Sequence, residues 1–313
     1  MDHPGREHAT ECPCRRPPSA VSRGIVLAVL AAAGFSAKAI FIKLAYQYQV
    51  DPLTLLTLRM LFALPFFLLM VLTPGALRAA RSYSLRTWLA LVLLGGCGYY
   101  LSSLFDFLGL QYISSALERL VLYLYPTFVL LLAVLCFGRR IGRREWLALA
   151  LCYGGIGLAV AHDLRHAFSG DAIWLGVAWV LASAVSYAVY LTGAGELVKR
   201  IGSVRMAAWG CLFSTAGIVI HFLVTRDPQA LLQPWPVYGY GLAMAVISTV
   251  LPVVWMNIAM THIGASRMAM VSTLGPAITL VLGWLVLGDA MSGWQIAGAL
   301  LVVGGVIMVN QRK

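Results

Sequence analysis

The sequence predicts an all-α membrane protein of ten transmembrane helices, arranged as two inverted five-helix repeats. Three observations carry that prediction. Of 313 residues, 60% are hydrophobic and only 11% charged, with a mean hydropathy of +0.84, whereas soluble domains carry about a quarter charged residues. Apolar runs of roughly 20 residues, each enough to cross about 30 Å of hydrocarbon, recur along the chain. And at a shift of 150 residues Pro126, Gly138, Gly154 and Gly155 fall on Pro276, Gly288, Gly304 and Gly305, so the chain is a duplication.

Segment 1–23 is polar, contains Pro4, Pro13, Pro17 and Pro18, and reads as a disordered cytoplasmic tail. The apolar stretch that follows is as long as a full span, whereas a cleavable signal has a short apolar core, so the first helix is expected to be retained. The expected helices are 24–45, 53–73, 87–109, 115–137 and 145–162 in a first repeat over 24–162. A second repeat over 172–310 supplies 172–192, 206–224, 237–260, 268–287 and 293–310. These runs are too long and too uniformly apolar for a transmembrane β-barrel. Cys97, Cys136, Cys152 and Cys211 fall within helices, where cysteine behaves as a small hydrophobe. Cys12 and Cys14 lack a second pair, and His162 and His166 have only Asp163 and Asp171 near them, so no metal site or cofactor is expected.

The net charge of +11 is a topology signal. With a cytoplasmic N-terminus, the inner segments hold Arg6, Arg15, Arg16 and Arg23; Arg78, Arg81 and Arg86; Arg139, Arg140, Arg143 and Arg144; Lys199, Arg200 and Arg205; Arg267; and Arg312 with Lys313. The outer loops hold only Arg165 and Arg226. This is the positive-inside distribution, so the basic pI requires no nucleic acid, and both termini are expected on the cytoplasmic side of the inner membrane.

Orientation also accounts for where the duplication fails. After Gly138 the first copy runs Arg139-Arg140-Ile141-Gly142-Arg143-Arg144, while after Gly288 the second has Asp289 and no arginine up to Trp294. An odd number of helices per copy puts the second copy in upside down, with that loop outside. Inverted repeats are a recurrent plan of secondary transporters, with a substrate site where the halves meet.

The stretch from Phe35 to Ala45, Asp51-Pro52-Leu53 through Arg59, and the fourth-helix runs ending Tyr125-Pro126-Thr127 and Gly275-Pro276-Ala277 together give the chain a resemblance: it resembles the EamA-type branch of the drug/metabolite transporter superfamily. It covers about residues 24–310. It implies a ten-helix bundle with a central cavity that moves small metabolites, often amino acids or their relatives, commonly outward. The family often has an acidic residue after the glycine that ends each fourth helix; here the first repeat has Arg139 and the second keeps Asp289.

Charges inside helices point to the chemistry. Lys38 lies about 14 residues into the first helix, roughly 21 Å deep at 1.5 Å per residue. An ionisable group at that depth faces a wet cavity or a partner charge. The readings that stay open for it are an anchor for a substrate carboxylate or phosphate, a structural ion pair, and an amine held neutral by a depressed pKa. Lys43 points about 140° away from Lys38, and Lys43 and Arg59 suit structural contacts or snorkelling. Arg59 is also a candidate clamp, because its planar fork holds a carboxylate through two hydrogen bonds.

Asp106 is expected to share a face with Ser102, Ser103 and Tyr99, forming a polar stripe. Glu118 and Arg119 read as a charge cluster at a membrane boundary, with Leu122 and Tyr125 stacked over Glu118. Asp106 or Glu118 is the alternative candidate for carrying a coupled proton. Lys38, Lys43, Arg59 and Arg119 outnumber Asp106 and Glu118 by two, which favours an anion or zwitterion as substrate.

The second repeat offers His221, Ser248, Thr249, Ser272 and Thr273, with Trp255 and Asn257 able to stack on and hydrogen-bond a substrate. His221 reads as a packing or interfacial histidine. Pro126 and Pro276 are expected mid-helix, as kinks that either shape the bundle or serve as pivots. No His-Glu-x-x-His or nucleophile–base motif points to an enzyme. A secondary transporter is the expected function, and a channel or non-transporting sensor on the same helices is the alternative.

Overall fold

The computed structural model describes residues 18–137, 170–263, 274–288 and 292–310, with isolated positions 143, 146, 147, 150, 151, 153–155, 157, 158 and 271. Among the described residues there are helices and turns and no strand. The order is α1 (Pro18–Tyr46), α2 (Pro52–Val71), a short α3 (Pro74–Ala80), α4 (Leu85–Gly109), α5 (Ser115–Leu122) and α6 (Tyr125–Phe137). Then come α7 (Gly170–Ile201), α8 (Ser203–Thr225), α9 in two stretches (Trp235–Ala245 and Leu251–Ile263), α10 (Gly275–Leu287) and α11 (Gly293–Asn310).

Six of these are long and apolar enough to span a bilayer: Val21–Tyr46, Pro52–Val71, Leu85–Gly109, Ala172–Ala194, Ser203–Thr225 and Trp235–Met256. Leu69, Leu93, Ile220 and Leu300 each leave more than 60% of their surface exposed. Water would penalise such an apolar exterior, while hydrocarbon accepts it, because the helices satisfy their own backbone groups. The molecule is an all-helical, multi-pass membrane protein. Expected span 145–162 is described only at scattered positions, and Arg139, Arg140, Arg144, Asp289, His162, His166, Ser272 and Thr273 lie outside the described residues.

Local chemistry sets the helix ends. Asp51 caps α2, its Oδ2 accepting from the backbone N–H groups of Leu53 and Thr54 at 3.1 and 3.2 Å, with Pro52 opening the first turn, where a missing N–H costs nothing. Ser114 caps α5 by accepting from Leu117 N at 3.1 Å. Gly288, at φ 70°, ends α10 in the left-handed conformation that glycine adopts without strain.

Two departures from regular helix matter for the site. Residues Gly96–Leu101 in α4 and Val246–Val250 in α9 wind as π turns, and the two start 150 residues apart. The fourth helix of the first half is not continuous over 115–137 as expected. It breaks at Tyr123–Leu124 and resumes at Tyr125, as the second half breaks at Leu274 and resumes at Gly275. Pro126 and Pro276 are therefore not mid-helix kinks. Each is the second residue of a new helical segment, a position that needs no N–H donor.

Packing repeats the same relation. α1 lies along the second stretch of α9, and α7 along the last part of α4. α1 also meets α10 as α7 meets α6, while α2 meets α9 as α8 meets α4. α2 with α8, and α5 with α10, pair across the middle. Where α4 crosses α8, Gly95 lies so close to the backbone of Gly210 that a Cβ would collide with it, the small-residue contact by which membrane helices approach.

Candidate functional site

The charged residues converge where α1, α4 and α5 meet. Lys38 Nζ of α1 donates to Asp106 Oδ2 of α4 at 2.5 Å, and the side chains are 15% and 1% exposed. Glu118, one turn into α5, is fully buried. Among the described residues no donor reaches Asp106 Oδ1 or either oxygen of Glu118.

Arg119 does not neutralise Glu118 at close range. Its Nε lies 3.9 Å from Glu118 Oε2, too long for a hydrogen bond. Its donors go elsewhere: Nη2 to the Phe35 carbonyl at 2.8 Å and Nε to Thr279 Oγ1 at 3.2 Å. Arg119 thus joins α5 to α1 and to α10. The two helix breaks are tied together at the same place. Ser36 Oγ donates to the Gly275 carbonyl at 3.1 Å, and the Tyr123 hydroxyl reaches the Gly275 backbone, where a Cβ would collide with it. Only glycine permits that approach.

Arg59 of α2 is buried, and its Nε donates to Thr249 Oγ1 at 3.0 Å. Thr249 in turn donates to the Met244 carbonyl at 2.9 Å within the π turn of α9. The guanidinium lies over the Phe107 ring, 5.7 Å from its centroid, a favourable cation–π placement. Its Nη1 has no hydrogen-bond partner among the described residues. Beyond the break, tyrosine rings form a chain: Tyr123 to Tyr125, Tyr125 to Tyr187, Tyr187 stacked on Tyr190, and Tyr190 to Tyr99. The last two share a hydrogen bond between hydroxyls at 3.0 Å.

The structure gathers Lys38, Asp106 and Glu118 where α1, α4 and α5 meet, with the Arg59 guanidinium over the Phe107 ring. Of the polar stripe expected on α4, Ser102 and Asp106 lie one turn apart in the regular segment Ser102–Gly109, Ser102 exchanging hydrogen bonds with Ser183 and Asp106 pairing with Lys38 of α1. Tyr99 lies within the π turn and hydrogen-bonds Tyr190; Ser103 is half-buried. Glu118 and Arg119 are both buried within the protein, and Tyr125, beyond the helix break, packs edge-on to Tyr187. Arg59 makes a structural contact and does not snorkel. Trp255 packs with Ala28, Ala31, Ala259 and Ile263, and the side chain of Asn257 lies outside the described residues. His221 is a hydrogen-bonded packing residue, its Nδ1 2.8 Å from the Tyr100 hydroxyl. An apolar pocket of about 360 Å³, lined by Leu131, Trp146, Ala150 and Tyr153, shares no residue with the cluster.

Sequence reasoning missed Ser36, Thr279, Tyr123 as a contact to the opposite half, and Tyr187 with Tyr190. The last two had a signal, since tyrosines three apart on an apolar helix lie on one face. At one end of the bundle Arg226 grips Asp51 through Nη2 at 2.8 Å and Nε at 3.3 Å. Burial pushes the Asp51 carboxyl up, but the Arg226 hydrogen bond and charge, with the two capping amides, bring it below its ordinary value. The same hydrogen bond raises Arg226.

A polar, charged cluster enclosed by membrane-spanning helices, with paired helix breaks, defines a membrane protein of the transporter class. The model of the EamA-like transporter family matches the chain twice, over residues 22–161 and 174–311. The chain belongs to the EamA-like transporter family, within the drug/metabolite transporter superfamily. It is 31% identical over 297 residues to the uncharacterized transporter YcbK of Bacillus subtilis, covering 91% of each chain. It is 25% identical over 159 residues to the threonine/homoserine exporter RhtA of Salmonella typhimurium, covering 50% of this chain and 51% of that one. A solved crystal structure at 19% identity superposes with a TM-score of 0.61, covering 92% of this chain and 96% of the other.

Proposed function

We propose that this transporter is a secondary carrier of a small zwitterionic metabolite of the amino-acid class, exporting it by alternating access between two inverted five-helix repeats. The observation that carries the reading is chemical. Arg59 leaves a donor, Nη1, and the cluster leaves acceptors, Asp106 Oδ1 and the Glu118 oxygens, without partners among the described residues. Buried polar groups are normally satisfied, and a molecule with a carboxylate and an ammonium completes both sets. Lys38 and Arg59 receive the carboxylate, and Asp106 and Glu118 the ammonium. The tyrosines from Tyr123 to Tyr99 offer ring faces and hydroxyls along the approach.

The matching π turns, breaks and helix pairings of the halves support a pseudo-twofold relation of the kind alternating-access carriers use. The arginine-rich segments support insertion in the inner membrane with cytoplasmic termini. Export is supported by the RhtA likeness, at half the chain.

The test is counterflow in proteoliposomes with labelled amino acids, preceded by a thermal-shift screen of zwitterions, anions and organic cations. A ligand at 100 times its Kd adds about 2.7 kcal/mol of stability. Trans-stimulated exchange of a zwitterion is expected. Hits confined to organic cations, or flux without trans-stimulation, would sink the proposal.

A further inference from the structure

The apolar pocket beside α6 is a groove on the exterior of the helices. Leu131 of α6 forms one wall and Trp146, Ala150 and Tyr153 of the following span form the other, around a volume of about 360 Å³, within the roughly 300–1,000 Å³ of small-molecule sites. Every described position from Arg143 to Leu158 is helical, and Arg143, Trp146, Leu147, Ala150 and Tyr153 are exposed. Leu135, one turn beyond Leu131 on α6, is exposed as well. At about 100° per residue Arg143, Ala150, Gly154 and Gly157 fall within about 60° of one another, with Trp146 and Tyr153 along one edge of that stripe and Leu147 along the other. Among the described residues, a Cβ added at Gly154 or Gly157 would meet nothing, so the stripe is a shallow channel about 21 Å long with Arg143 at one end.

The channel combines two chemistries. Its walls suit hydrocarbon, while Arg143 supplies positive charge and has Arg139, Arg140 and Arg144 as sequence neighbours. The other half has neither part: in the 150-residue register Gly293 stands at the position of Arg143, Leu300 at that of Ala150 and Ile307 at that of Gly157. Topology asks for arginines in that loop but not for a groove beside them, so their occurrence together in one half has a separate cause. A second copy of the chain is the poorer occupant, because a twofold axis along the membrane normal would set Arg143 of both copies at one level, where like charges repel.

We propose that this groove holds an anionic phospholipid of the cytoplasmic leaflet, with one acyl chain along Leu131, Trp146, Ala150 and Tyr153 and the headgroup on Arg143. Basic sites between membrane helices bind anionic headgroups on that side of the bilayer. The site takes from the proposed topology only that this end of α6 meets the cytoplasmic leaflet; the substrate and the direction of transport play no part in it.

Native mass spectrometry of the delipidated protein in detergent, titrated with dioleoyl phosphatidylglycerol or dioleoyl phosphatidylcholine, tests the site independently of orientation and transport. The first phosphatidylglycerol is expected to bind at least about fivefold more tightly than the first phosphatidylcholine, the effect of one arginine beside an anionic headgroup. Arg143→Gln should remove about fivefold of that preference, while the neighbouring arginines keep the insertion signal. Ala150→Trp fills the groove and should weaken both lipids; should that variant not fold, Ala150→Leu, which installs the residue of the other half, should weaken them to a smaller degree. Equal binding of the two lipids by the wild type overturns the proposal. So does a preference untouched by Arg143→Gln, or binding untouched by the Ala150 variants. A dimer without lipid preference that Ala150→Trp dissociates would overturn it too, by assigning the groove to a second copy.

Discussion

The two halves share a backbone plan and differ in their charges. Both third helices carry a π turn at one register, and both fourth helices break just before Pro126 and Pro276. Yet in the 150-residue register Asp106 falls on Met256, Glu118 on Met268 and Lys38 on Ala188, and a one-residue slip on the last meets only Tyr187 or Val189. Duplication therefore preserved where helices bend and approach, which any rocking motion needs in both halves. It did not preserve the buried charges, and one buried cluster avoids a second desolvation cost, several kcal/mol per ion. The conserved features describe the scaffold, and the asymmetric ones locate the chemistry.

The largest expected effect comes from breaking the cluster on its charged side. Lys38→Ala strands Asp106 as a buried charge and should cost about 3–5 kcal/mol, read as a lowered melting temperature in detergent, with loss of exchange in proteoliposomes. Replacing both members, Lys38→Met with Asp106→Leu, should restore much of the stability while exchange stays lost. Wild-type exchange in Lys38→Ala would mean that the asymmetry is incidental to transport.

A smaller effect tests the contacts that tie the halves together. Arg119→Lys keeps the charge but not the fork that reaches both Phe35 and Thr279, and should cost about 1–3 kcal/mol. Arg59→Lys should behave alike through Thr249. If these are neutral in melting experiments while Lys38→Ala is not, the cluster stands apart from the interface. Tyr190→Phe removes one hydroxyl hydrogen bond to Tyr99 and should cost about 1 kcal/mol, with any larger loss of substrate affinity marking the tyrosine chain as part of the path.

The smallest effect lies at the exposed end. Asp51→Ala removes a helix cap, worth about 1 kcal/mol, whereas Asp51→Asn keeps the cap and loses only the partly exposed pair with Arg226, worth less than about 1 kcal/mol. Because the Asp51 carboxyl is held below its ordinary value in the folded protein, its contribution is present above the ordinary carboxylate range, near pH 4. It disappears as pH falls through the lowered value. Melting curves of the wild type and Asp51→Asn should therefore converge in acid; a gap that widens there contradicts the assignment.

Much of this was readable in one dimension. Hydropathy marked the spans, and the enclosure of Lys38 and Asp106 followed from charges sitting in apolar runs, whereas Glu118 had read as a boundary residue. Their pairing was not readable, since Lys38 and Asp106 lie 68 residues apart and periodicity relates only residues on one helix. The π turns were invisible for a related reason. Helical periodicity assumes 3.6 residues per turn, so Tyr99, which lies inside the π turn, was assigned to the face of Ser102 and Asp106, from which the extra residue in the turn displaces it. Pro126 was legible as an interruption, but a kink and a full break have the same sequence signature.

The amino-acid sequence alone determined that the chain lives in a membrane, that it is duplicated and where its rare charges sit, because transfer free energy is a local property of each residue. Tertiary structure decided which charges meet, that Arg119 and Arg59 serve the opposite half, and that Tyr123 closes on Gly275. Those contacts depend on helix rotation and crossing, and packing between distant segments sets both.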